Sequence, residues 1–95
     1  NVFWSRMKAH EVYNFVRAIT KPYPGAFSFY KKKLLRIWKV GIPSQEIRGC
    51  PGKILWIQNE GPFVICEDKA IKLLDYELDD NLAIRHGEYL TQEYL

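Results

Sequence analysis

Between Arg17 and Phe27 the chain reads Arg-Ala-Ile-Thr-Lys-Pro-Tyr-Pro-Gly-Ala-Phe. Pro22 and Pro24, at alternate positions, each hold φ near about −65° and remove an amide donor, so neither a helix interior nor a central strand runs through this segment. Gly25, directly after them, can take a backbone conformation closed to other residues. The chain is therefore made to turn here. Upstream, Val12, Phe15, Val16 and Ile19 fall at i, i+3, i+4 and i+7 and form one apolar stripe on a helix that Pro22 stops. Ser5 is the expected N-cap of that helix, which then runs to about Ile19, with Val2 or Phe3 packing back as a staple.

Past the turn the pattern becomes that of strands. Residues 27–30 and 34–40 are expected to pair as a hairpin across Lys31, Lys32 and Lys33, and 41–52 reads as a loop. Strands at 53–58 and 63–66 flank Asn59-Glu60-Gly61-Pro62, a turn sequence, and a fifth strand follows at 70–76. One short helix is expected in the acidic tail from about Gly87. One N-terminal helix and five short strands joined by tight turns describe a mostly β domain, a small closed or partly open barrel, and not a βαβ unit.

Ninety-five residues make a single domain spanning 1–95, with no room for a second, catalytic lobe. The first residue is Asn, as expected of a piece of a longer chain. No apolar run approaches the roughly 20 residues of a membrane span, and the first residues do not resemble a signal peptide, so a cytoplasmic location away from membranes is expected. Cys50 and Cys66 lack the spacing of a metal site and are expected reduced, the first in a loop and the second in a strand core.

Charge divides the chain in two. Residues 1–53 carry eleven basic side chains against two acidic ones, a balance of +9, whereas 54–95 carry three against nine, a balance of −6. The net charge of +3 conceals this polarity. Lys31, Lys32 and Lys33 alone could be a hairpin tip kept soluble by charge. Their company favours a surface for a polyanion: Lys21 precedes the turn, and Arg36 and Lys39 follow along the next strand. Alternation along a strand does not by itself place Arg36 and Lys39 on one face.

Other candidates for chemistry are weaker. His10 and His86 lack a partner at metal-ligand spacing, and His10 is expected on the wet side of the helix. Asp75, Glu77, Asp79 and Asp80 read as solvated acids. No nucleophile elbow, phosphate loop or dinucleotide fingerprint is present, so neither catalytic residues nor a metal site is expected. Among the aromatics, Phe27 with Phe29, and Leu34 with Trp38 and Val40, form same-face sets expected in the core, whereas Tyr23 and Tyr30, beside lysines in turns, are expected to be exposed. Arg17, near the end of the helix, has a simple role in stabilising its dipole.

A Trp-Ser pair (Trp4, Ser5) ahead of a helix ending in Arg17-Ala18, then Lys21-Pro22-Tyr23-Pro24-Gly25-Ala26-Phe27, then Leu35-Arg36-Ile37-Trp38-Lys39, resembles the C-terminal domain of the formyltransferase family. Pro51-Gly52-Lys53-Ile54-Leu55 continues the likeness. The resemblance implies a five- to six-stranded barrel like those that bind oligonucleotides and oligosaccharides, with the helix packed against it. It also implies a missing N-terminal domain that carries the catalytic residues and uses 10-formyltetrahydrofolate. On the methionyl-tRNA formyltransferase branch, a role in protein biosynthesis, Lys21, Lys31, Lys32, Lys33, Arg36 and Lys39 would hold the tRNA backbone, with Arg17, Pro22, Tyr23, Pro24 and Gly25 as the turn. On the nucleotide-sugar N-formyltransferase branch the domain would scaffold or dimerise, and Tyr23 between the two prolines favours that branch. A free-standing oligonucleotide-binding module is a third reading.

Overall fold

A computed structural model describes residues 1–19 and 25–91. Lys21, Pro22, Tyr23 and Pro24 of the turn lie outside the described residues. Helix α1 spans Ala9–Ala18 and is followed by β1 (Ala26–Tyr30), β2 (Lys33–Gly41), β3 (Ile54–Ile57), β4 (Gly61–Ile65) and β5 (Ala70–Leu78), with a single 3-10 turn at Asp79–Asn81. The strands form one antiparallel sheet in the order β1-β2-β5-β4-β3. The fold is mostly β with one N-terminal helix, as the strand and turn pattern predicts.

Helix α1 starts later than expected and is capped differently. Its N-cap is Lys8, not Ser5. The Lys8 N–H donates to Glu11 Oε1 at 2.8 Å, and the Ala9 N–H donates to Asp68 Oδ1 at 2.8 Å. Two carboxylates thus take amides that a helix start leaves without partners, and one of them comes from the β4–β5 turn. Ser5 lies exposed in a preceding turn, where the Arg6 and Met7 N–H groups both donate to Phe3 O.

Ala9, Val12 and Val16 face Leu35, Ile37, Ile54, Val64, Ile71 and Leu73 in the main core, which Val2, Trp4, Tyr30 and Cys66 complete. Each fully buried branched aliphatic or aromatic side chain contributes roughly 1.5–3 kcal/mol through the area it removes from water. A smaller cluster of Phe63, Ile65 and Ala70 lies across β4, packed against Ile47 of the long loop with Leu55 and Ile57. Strand β4 therefore alternates between two apolar environments, which explains its near-continuous hydrophobic sequence.

The aromatic expectations for β1 need correction. Ala26, Ser28 and Tyr30 point into the core, and Phe27 and Phe29 are half-buried on the outer face, edge to face at 6.0 Å. Tyr30 is only 2% exposed because its hydroxyl has an internal acceptor in the Glu88 carboxylate, so the ring need not stay wet. Conversely Trp56, on the edge strand β3, is 40% exposed.

The tail is the other correction. No helix forms from Gly87 through Thr91: the chain turns at 86–87, with Gly87 at a φ of +86°, and 88–91 then runs between the two free edges of the sheet, while 92–95 lie outside the described residues. Gly87 N–H donates to Ile54 O at 2.7 Å, Ile54 N–H to Glu88 O at 2.8 Å, and Leu90 N–H to Gly52 O at 2.8 Å. At the other edge Phe29 and Thr91 exchange hydrogen bonds of 2.9 and 2.8 Å. Edge strands expose rows of donors and acceptors, and pairing with them satisfies more groups than an isolated terminal turn of helix would. The five-stranded ladder itself stays open between β1 and β3, and this strap spans the gap, giving a barrel-like closure.

Candidate nucleic-acid interface

Lys31 and Lys32 are the two central residues of the hairpin between β1 and β2, flanked by the Tyr30–Lys33 pair. Both have positive φ, +49° and +66°. A two-residue turn of this hand matches the twist of the strands, and Asn-Gly is the usual way to fill it. Here lysines do so, at a cost on the order of 1 kcal/mol each for placing a side chain in the left-handed region. Lys31 and Lys32 are exposed, Lys33 half-buried at the start of β2.

Carboxylates from the acidic half meet this tip. Lys31 Nζ lies 3.2 Å from Glu88 Oε2, and Lys33 Nζ lies 2.7 Å from Asp80 Oδ2. Glu88 also accepts a hydrogen bond from the Tyr30 hydroxyl, and that bond, with the one to Lys31, holds its carboxyl below the usual carboxylate range. Burial first, then the hydrogen bond to Glu88 and that group's charge, pushes the Tyr30 phenol up. Among the described residues Lys32 has no ion pair. Beside it an open concavity of about 410 Å³ is lined by Phe29, Lys32, Lys33, Leu34, Asp79 and Asp80.

Farther along β2, a bulge decides where the remaining cations point. Arg36 is in register with Glu77, Ile37 with Tyr76, Lys39 with Asp75 and Val40 with Leu73, so Trp38 on β2 and Leu74 on β5 are each an extra residue. The two irregularities compensate. Directly opposed residues share a face, and Glu77 and Asp75 are two apart on β5, so Arg36 and Lys39 emerge on the same side of the sheet. Strict alternation would have opposed them. The bulge also buries Trp38, whose Nε1–H donates to Glu77 Oε1 at 2.7 Å. Gly25, with φ of +75°, lies against that indole so closely that a Cβ would approach the ring to 2.4 Å.

The structure therefore brings Lys31, Lys32, Lys33, Arg36 and Lys39 onto one hairpin, over roughly 20 Å of strand from Lys33 to Lys39. They do not form an unbroken positive face: Glu88, Asp80, Glu77 and Asp75 alternate with them. The acids were legible as exposed, and their placement opposite the cations was not, because register is a long-range property. Arg17 is exposed in the last turn of α1 with its guanidinium 5.3 Å from the Tyr13 ring centroid, and lines a groove with Tyr13, Val16, Trp38, Lys39 and Val40.

Elsewhere little chemistry is concentrated. His10 is exposed, and His86 Nδ1 accepts the Trp56 N–H at 2.9 Å. Cys50 is exposed and free, and Cys66 is buried and free, its thiol pushed up to about 12 by burial and then by the Asp68 charge. Among the described residues no three His, Cys, Asp or Glu side chains are grouped to hold a metal, and no helix is long and apolar enough to cross a membrane.

Comparison with known proteins follows the same lines. The chain is 34% identical over 88 residues to a methionyl-tRNA formyltransferase of Geotalea uraniireducens, covering 93% of this chain and 27% of that protein. A methionyl-tRNA formyltransferase of Alkaliphilus oremlandii is 37% identical over 88 residues, covering 93% of this chain and 28% of its own length. The bifunctional polymyxin resistance protein ArnA of Wigglesworthia glossinidia brevipalpis is 40% identical over 72 residues, 75% of this chain and 10% of that protein. The chain thus spans about a quarter of the length of the methionyl-tRNA formyltransferases it matches. Residues 1–93 match the family described as formyl transferase, C-terminal domain, and the chain belongs to that family.

Proposed function

We propose that this chain is the non-catalytic accessory domain of a methionyl-tRNA formyltransferase, and that it holds the tRNA backbone through Lys31, Lys32, Lys33, Arg36 and Lys39, with Lys21 of the preceding turn. The observation that carries this reading is the lysine pair at positive φ in the β1–β2 turn. Asn or Gly would fill those positions at lower cost to the fold, so charge at the tip is the property that favours lysine there. The names of the relatives that cover more than nine-tenths of the chain support the acceptor.

Five cations on one hairpin contact phosphates without reading bases, which positions a nucleic acid and leaves sequence discrimination to other surfaces. In this reading a separate N-terminal domain transfers the formyl group from 10-formyltetrahydrofolate, and no residue of this chain is assigned to the folate. The test is a titration of the 95-residue chain with initiator tRNA across salt. Affinity should fall steeply as salt rises, and Lys31→Ala/Lys32→Ala/Lys33→Ala should flatten the slope by up to about three units. Equal and negligible binding by both proteins at low salt removes the nucleic-acid reading.

A second reading, a scaffolding or dimerisation domain of a nucleotide-sugar N-formyltransferase, is favoured by the 40% identity to a protein whose name is not that of a tRNA enzyme. It expects self-association in sedimentation and no effect of the lysine substitutions.

A further inference from the structure

We propose that Asp80 and Glu88 are built-in counter-anions for the lysine tip, and that a phosphodiester polyanion binds there by displacing them. The inference rests on the polyanion reading above and concerns how that site is regulated. Two carboxylates from separate places in the fold, the 3-10 turn after β5 and the strap that closes the sheet, reach lysines on either side of Lys32, at 2.7 and 3.2 Å. Glu88 also accepts a hydrogen bond from the hydroxyl of the buried Tyr30, which holds the carboxylate while the long lysine stem can turn away from it. All four charged side chains are more than a third exposed.

Exposed ion pairs of this kind stabilise a fold very little. Their consequence lies in binding. A single weak anion offers Lys31 or Lys33 nothing that the resident carboxylate does not already supply. A strand carrying phosphates in series can replace both carboxylates and engage Lys32 in the same event, and the freed acids then repel any anion that binds incompletely. The tip is thereby tuned against isolated anions and toward polymers.

The test compares wild type with Asp80→Asn/Glu88→Gln and with Glu46→Gln/Glu60→Gln. The second double variant removes the same charge from carboxylates that pair with Lys69, Arg48 and Lys72, away from the tip. All are titrated with initiator tRNA at fixed salt after circular dichroism confirms the fold. Each tip carboxylate should weaken binding about threefold, so Asp80→Asn/Glu88→Gln should bind about tenfold tighter than wild type while the control changes less than about twofold. Asp80→Asn alone carries the comparison if loss of the Tyr30 acceptor disturbs folding. Equal tightening in both double variants, or none at the tip while the triple-lysine variant still loses affinity, overturns the counter-anion role and leaves the proposed function standing. Binding that is indifferent to the lysines as well overturns both.

Discussion

Ser28 is completely buried, where a hydroxyl costs free energy unless its donor and its acceptor are both used. Both are. Its Oγ accepts from Trp4 Nε1 at 2.9 Å and donates to Thr91 O at 2.6 Å. This one side chain ties the segment before α1 to β1 and to the closing strap. Ser28→Ala should cost about 1–3 kcal/mol in urea unfolding, since it strands a buried indole N–H, while Ser28→Thr, which keeps the hydroxyl, should recover part of the loss if its methyl is accommodated. A change below about 0.5 kcal/mol would show the chain of hydrogen bonds to be incidental. From sequence, Trp4 was conspicuous and Ser28 was not: a serine inside an aromatic run reads as an outer-face residue until its partners, 24 and 63 positions away, are known.

At the scale of elements, α1 and the β1–β2 hairpin each rest on a local choice with a distant partner. The apolar stripe of α1 and its end near Ile19 were legible, but its start was not, because Asp68 lies 59 residues away and supplies a cap that no local pattern records. Burial raises the Asp68 carboxyl, and the stronger effect of hydrogen bonds from the Ala9, Lys69 and Asp68 amides holds it below its usual range. Its contribution is therefore complete above the unfolded pKa of about 3.9 and is lost as pH falls through the lower folded value. Asp68→Asn should be less stable than wild type at pH 7, and the gap should narrow as pH falls below the unfolded value. A gap that stays constant with pH would assign the loss to something other than the carboxylate. In the hairpin, the strand period and the lysine tip were readable, whereas the bulge at Trp38 was not, since it is visible only against the register of β5. Lys31→Asn/Lys32→Gly should relieve the left-handed strain and raise stability by up to about 1 kcal/mol while weakening tRNA binding. Thermal unfolding and titration on the same samples would expose a failure of either half of that trade.

For the whole molecule, the decisive piece is the strap, because a five-stranded open sheet has two edges and this one satisfies both with a single extended segment. Gly52 is the junction on the β3 side. Its N–H donates to Ile65 O at 2.8 Å, its carbonyl accepts from Leu90 N–H at 2.8 Å, and its φ is +89°. A Cβ there would come within 2.7 Å of Leu90 O, a backbone atom that moves only if the strap moves. Gly52→Ala should therefore loosen closure more than it disrupts the sheet: amide exchange should accelerate at Leu90, Thr91, Ile54 and Phe29, which bond across the strap, and much less at Leu35 and Ile71 in the β2 and β5 interior. Because Glu88 rides on the same segment, the variant should also release Lys31 from its carboxylate and strengthen polyanion binding. Uniform acceleration across all strands would mean that the strap and the sheet open as one cooperative unit, and that closure is a property of the entire fold and not of its last five described residues.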